Sequence, residues 1–333
     1  MEVSENTVAK GNGKQAVKPE GPENFLLSEC IDMPVKSPEM IFEDLWPART
    51  MGLFTGDGGV GKTHLALQLL VAIASGSEIE GIPFRCPTSR DVVYITQEDE
   101  ADFIRGELLC QHPELKTQPE ISERIRIIST ALRGENLFLG NPKLCSYIAG
   151  NLTEGSVFVL DSWSTFLGTN ESDNTELMKR EIAPLRGIMK DRNATPLIIH
   201  HRPKPNQAGF QSSFRGGTAL PNSCRFHIMI ESAGVEVKLS FEKVSRGAKP
   251  DPLKLVFDED SRLFVPGNLD RYVTVFRKVG KELTTSQVIE KLGKDPTDQK
   301  ERKRVLNALG QRDAIQKILG GKKGQDAVWK RVK

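Results

Sequence analysis

The sequence predicts an α/β fold: a mainly parallel sheet between helices, followed by a small α+β module of winged helix-turn-helix type. Three observations predict it. Short apolar runs alternate with segments of helical spacing between residues 50 and 201, the first run enters a helix through a glycine-rich loop, and texture and charge both change after about residue 271. Apolar strands alternating with helices imply a parallel sheet covered on both faces.

Residues 1–24 (MEVSENTVAKGNGKQAVKPEGPEN) are polar with little apolar content and read as a disordered arm, ahead of a main domain over 25–268 and a basic module over 271–333. TMGLFTG (50–56) reads as a strand, and KTHLALQLLVAIASG as a helix stopped by Gly76. DVVYITQ (91–97) is a second strand, ADFIRGELLCQH (101–112) a helix and RIRIIST (124–130) a third strand. VFVLD (157–161) and TPLIIHH (195–201) are continuous apolar runs; between them NTELMKREIAPLRGIMKDRN has helical spacing interrupted by Pro184. CRFHIMIE, VEVKLSFEKVS and the pair LKLVFD/SRLFV, turning at DEDS, read as antiparallel additions to the sheet edge. In the module, TTSQVIEKL is a short helix, DQKERKRVLNAL a basic helix, and IQKILGGKKGQDAVWKRV two strands joined by a Gly-Lys hairpin.

With 38% hydrophobic and 27% charged residues the composition is that of an ordinary soluble protein, and no run approaches the roughly 18 apolar residues of a membrane span. The first residues lack the apolar core of a signal peptide. Five scattered cysteines without zinc or disulfide spacing fit the reducing cytoplasm. The net charge of +2 hides an asymmetry: residues 271–333 hold seventeen Lys and Arg against seven Asp and Glu, so the rest of the chain is net acidic. Such a tail suits a polyanion.

GDGGVGKT fits the phosphate-loop pattern G-x-x-x-x-G-K-[ST], between a strand and a helix as that pattern requires. Gly56, Asp57, Gly58, Gly59, Val60, Gly61, Lys62, Thr63 and the following His64 form the candidate nucleotide-binding stretch, with ATP and Mg²⁺ as the implied ligands. Glycines let backbone N–H groups converge on the phosphates, Lys62 reaches the β- and γ-phosphates, and the Thr63 hydroxyl holds Mg²⁺. Asp161, closing VFVLD, supplies the second magnesium-side oxygen. Ser162 stands where many ATPases carry the water-activating glutamate, so the base is sought on another strand end. Glu98, directly after DVVYITQ, is favoured over Asp99 and Glu100. His200 and His201 close a third apolar strand, where a polar side chain can report loss of the γ-phosphate; His201, nearer the following loop, is preferred. Arg215 and Arg225 are candidates for an arginine acting on a neighbouring subunit's nucleotide, in competition with Lys243 and Arg246.

Together the P-loop GDGGVGKTHLALQL, the YITQED strand end, VLDS, the HH pair, RGGTAL…CRF and a lysine-bearing strand resemble the RecA-like P-loop NTPases of the plasmid RepA hexameric replicative helicase family, and more distantly DnaB-type helicases. The resemblance covers residues 38–250. It implies phosphate binding at Lys62 and Thr63, a catalytic Glu98, magnesium at Asp161, γ-phosphate sensing at His201 and an arginine finger at Arg225. It also implies a homo-oligomer, taken as a hexamer, moving on single-stranded DNA, with pore contacts from Lys204, Phe210 and Arg215. FEKVSRG departs from the family by lacking Asn-Tyr after its lysine. The basic module is absent from the short plasmid helicases, which suggests a separate duplex or origin-binding function, or a regulatory ATPase that binds DNA without unwinding it.

Overall fold

The computed structural model describes residues 26–32, 34, 37–131, 137–170, 172–202, 218–233, 236–259, 261–267, 275–276, 280–292, 294–310, 315–319 and 326–332. The chain divides into two compact units, Met1–Pro38 and Glu39–Lys333. The first contains the short helix Leu27–Cys30, and the arm expected over 1–24 lies outside the described residues. Everything below concerns the second unit.

A small hairpin, β1 (Met40–Phe42) and β2 (Trp46–Pro47), precedes the first sheet strand, β3 (Met51–Gly56). A second hairpin, β4 (Glu78–Ile79) and β5 (Ile82–Arg85), follows the P-loop helix Lys62–Ser75. The parallel strands continue with β6 (Val92–Thr96), β7 (Ile125–Ser129), β8 (Val157–Asp161) and β9 (Thr195–His201). Then come β10 (Cys224–Ala233), β11 (Glu236–Val244), β12 (Leu253–Asp258) and β13 (Leu263–Pro266). All of β3 and β6 to β13 join one nine-stranded sheet in the order β13-β12-β11-β10-β3-β9-β8-β6-β7. The strands from β10 to β7 run parallel, and β11, β12 and β13 are antiparallel. This corrects one expectation: CRFHIMIE is not an antiparallel edge addition but lies parallel beside β3. The helical turn Ala219–Ser223 delivers it to the same end of the sheet at which β3 starts.

Side chains of a strand alternate between faces, so a continuous apolar run serves two cores. Phe54, Tyr94, Val159, Ile199 and Ile228 pack with the helices Lys62–Ser75 and Ala101–Gln111 on one face. Leu53, Ile95, Phe158, Leu160 and Ile198 pack with the helices Pro142–Asn151 and Ala183–Arg192 on the other. The predicted interruption at Pro184 is real but mild. Asn174–Leu177 is α-helical, Met178–Ile182 forms a π turn, and Pro184 lies in the first turn of the next helix, where no N–H is required of it.

The tail has its own core of Phe276, Leu283, Val288, Ile289, Val305, Leu309, Ile315, Ala327 and Trp329. Its three strands are β14 (Glu282–Thr284), β15 (Ile315–Leu319) and β16 (Val328–Arg331), in the order β14-β16-β15. Helices Thr285–Lys291 and Gln299–Gly310 lie between β14 and β15 in the chain, the first opened by a capping box of Thr284 and Gln287. The tip of the β15–β16 hairpin lies outside the described residues. Arg331 bonds to Glu80 at the tip of the β4–β5 hairpin, tying the tail to the main sheet's unit. Among the described residues no helix is long and apolar enough to cross a membrane.

Candidate active site

Gly56 ends β3, and the loop that follows can form only without certain side chains. A Cβ at Gly56 would meet the Ile230 carbonyl oxygen at 2.5 Å; one at Gly61, whose φ is +89°, would meet the Phe264 ring at 2.5 Å. The helix begins at Lys62 with no side-chain cap on its first N–H groups, an arrangement suited to an anion. Lys62 is buried, and its Nζ donates to the carbonyl oxygens of Gly56 (3.1 Å) and Asp57 (2.7 Å) and lies 3.2 Å from His201 Nδ1. Burial pulls the Lys62 ammonium below its ordinary range, against the opposing charges of Asp161, Asp57 and Glu98.

Strand order brings the other groups to this loop. β9 lies between β3 and β8, and β6 lies beyond β8, so the C-terminal ends of four parallel strands converge. Thr63 Oγ1 donates to Asp161 Oδ2 at 2.7 Å, and the Tyr94 hydroxyl donates to the same oxygen. Burial pushes the Asp161 carboxyl up, with Glu98 adding to the shift, while bonds from Tyr94 and Thr63 and the charge of Lys62 pull it down. A hydroxyl and a buried carboxylate 2.7 Å apart form an oxygen donor pair that fits a hard cation such as Mg²⁺.

Glu98 is exposed just beyond β6, where the Thr96 hydroxyl oxygen accepts the backbone N–H groups of Glu98 (3.1 Å) and Asp99 (3.3 Å). Ser162 Oγ donates to Glu98 Oε1 at 2.5 Å. Asp99 instead feels Glu107 and His64 on the helix side, and burial raises its carboxyl. Of the three neighbouring acids, Glu98 is therefore the one joined to the Asp161 strand.

The structure brings Lys62, Thr63, Glu98, Asp161 and His201 together. His200 points elsewhere, into the sheet near His227. The His64 side chain turns away from the loop, to Glu107 at 3.1 Å. Arg225 is exposed at the start of β10, where the register shifts beside Met51 and Gly52, whereas Gly56 pairs with Ile230 at the other end. Five residues of strand, about 17 Å, separate it from its own P-loop. Lys243 lies at that same distant end, bonded to the carbonyls of Pro221 and Asn222, with Arg246 just beyond. Lys204, Phe210 and Arg215 lie outside the described residues.

Four contributors escaped the sequence reading: Tyr94, Thr96, Ser162 as a partner rather than an exclusion, and Arg202. The Arg202 backbone N–H bonds the Gly56 carbonyl at 3.0 Å, and its guanidinium pairs with Glu231 at 2.6 Å. The signal for Tyr94 was present, since a hydroxyl inside an apolar strand requires a buried partner.

A P-loop, a carboxylate on a non-adjacent strand and a second carboxylate one strand further define a P-loop ATPase with an inserted strand between its two magnesium-side elements. The chain belongs to the AAA domain family, which matches residues 19–207. No curated protein sequence matches it. Among solved structures, the ATPase domain of a helicase, the protein G-40-P, aligns at 12% identity with a TM-score of 0.48, over 67% of this chain and 85% of that one.

Proposed function

We propose that the chain is an ATP-driven homo-oligomeric translocase, taken as a hexamer from its family resemblance, that moves on single-stranded DNA and unwinds duplex during replication. The observation that carries this reading is the 3.2 Å approach of Lys62 Nζ to His201 Nδ1. His201 closes β9, and the segment after it, 203–217, is the stretch expected to touch DNA. A side chain that meets the phosphate-binding lysine and opens that segment can convert a change at the γ-phosphate into movement of the DNA contact.

In this reading the loop N–H groups and Lys62 hold the phosphates, and Thr63 and Asp161 hold the magnesium ion. Bound Mg²⁺ neutralises charge on the phosphate oxygens. Glu98, held by Ser162, orients the attacking water and takes its proton. Arg225, too far from its own loop, serves the loop of a neighbouring subunit.

The test is strand displacement on forked DNA. Displacement should require Mg-ATP and vanish in Lys62→Ala and Glu98→Gln, with hydrolysis in the latter down by about 10²-fold or more. A Glu98→Gln protein that hydrolyses normally would remove Glu98 from the mechanism. The basic tail with its own core favours a second reading, a DNA-binding regulatory ATPase whose nucleotide state controls assembly. Hydrolysis without displacement by the unaltered protein would select it.

A further inference from the structure

We propose that the outward face of helix Gln299–Gly310, formed by Lys300, Lys303, Arg304 and Asn307, is a binding face for duplex DNA that enters the major groove. The inner face of this helix is fixed. Val305 and Leu309 are buried in the tail's core, and Arg302 is pinned by Ser286 (2.9 Å) and by Asp326. What remains, at spacings of three, four and seven residues, is one exposed stripe of three cations and an amide.

Its charge is largely uncompensated. Lys300 and Lys303 form no ion pair with any described residue. Arg304 meets Glu301 at 3.5 Å but keeps 67% of its side chain exposed, a pair of little energetic weight. Order and connectivity agree with the charge. Two helices between the first and second strands of a β14-β16-β15 sheet place Gln299–Gly310 as the second helix of a helix-turn-helix, the helix that lies in the major groove in such units.

The chemistry distinguishes duplex DNA from other polyanions. Single-strand binders present aromatic rings for base stacking, whereas Phe276 and Trp329, the aromatics among the module's described residues, are buried. An RNA duplex has a major groove too narrow for a helix, while that of B-DNA is about 12 Å wide. The module's charge also opposes that of the net acidic remainder of the chain, so duplex is drawn to this face rather than to the sheet.

The experiment is fluorescence anisotropy of the full chain, without nucleotide, on a labelled DNA duplex of about 20 base pairs, the matching single strand and an RNA duplex. Lys300→Gln/Lys303→Gln should weaken DNA-duplex binding at least about tenfold at low salt and lower the log–log salt slope by about 2. Lys116→Gln/Lys238→Gln, which removes the same charge from exposed positions elsewhere, should change binding less than about twofold, with circular dichroism unchanged in both proteins. Undiminished duplex affinity, an equal loss for the single strand, or tighter binding of the RNA duplex would each overturn the proposal. Displacement activity is not read here, so failure of the translocase reading leaves this outcome intact, and the reverse holds.

Discussion

The Ser162 hydroxyl donates to Glu98 at 2.5 Å, so the residue that keeps a carboxylate out of position 162 holds one that arrives from the neighbouring strand. Glu98 is exposed, and without that bond its side chain can leave the site. A hydrogen bond to a charged group contributes about 1.5–3 kcal/mol, and part of that is lost as misorientation of the base. Ser162→Ala should therefore lower kcat for ATP hydrolysis by about tenfold with KM nearly unchanged. A raised KM with full kcat would show that Ser162 serves nucleotide binding instead. The identity of the candidate base was legible because an acid directly follows an apolar strand. Its tie to Ser162 was not, because it joins positions 64 residues apart.

At the scale of elements, the P-loop helix is clamped by a strand at the far edge of the sheet. Gln68 donates to the Phe264 carbonyl and accepts the Phe264 N–H, both at 3.0 Å. Gln111 donates to the carbonyls of His64 (3.0 Å) and Arg262 (2.8 Å), and buried Glu107 binds both His64 and Arg262. The Phe264 ring fills the space that a side chain at Gly61 would need. Phe264→Ala should cost about 3–5 kcal/mol in urea unfolding and raise KM for ATP, because the loop's last glycine loses its support. Unfolding at lower urea with an unchanged KM would limit Phe264 to a packing role. Helices and long strands were legible from their periods. The two small hairpins and β14 were not, since strands of two to four residues carry too little pattern to register. The direction of CRFHIMIE was misread because alternation is the same in either direction, and only its neighbour, β3, makes it parallel.

For the whole molecule, the position of Arg225 at the far end of β10 makes oligomerisation a chemical requirement if that residue acts on ATP. Lys62→Ala and Arg225→Ala proteins should each be nearly inactive alone. An equal random mixture leaves about a quarter of interfaces with both parts intact and should recover activity in proportion. No recovery in a mixture shown to co-assemble would assign Arg225 a structural role.

Taken alone, the sequence was enough to determine the class of engine, because the phosphate loop, the apolar strands and the acids at their ends are each local patterns of a few residues. It also placed the basic charge on the tail. Only the tertiary structure decided which strand ends meet, that Ser162 and Tyr94 serve the two carboxylates, that His64 turns away, and that Arg225 lies far from its own loop. Those facts depend on the order and direction of strands in one sheet, set by packing between segments distant along the chain rather than by any local pattern.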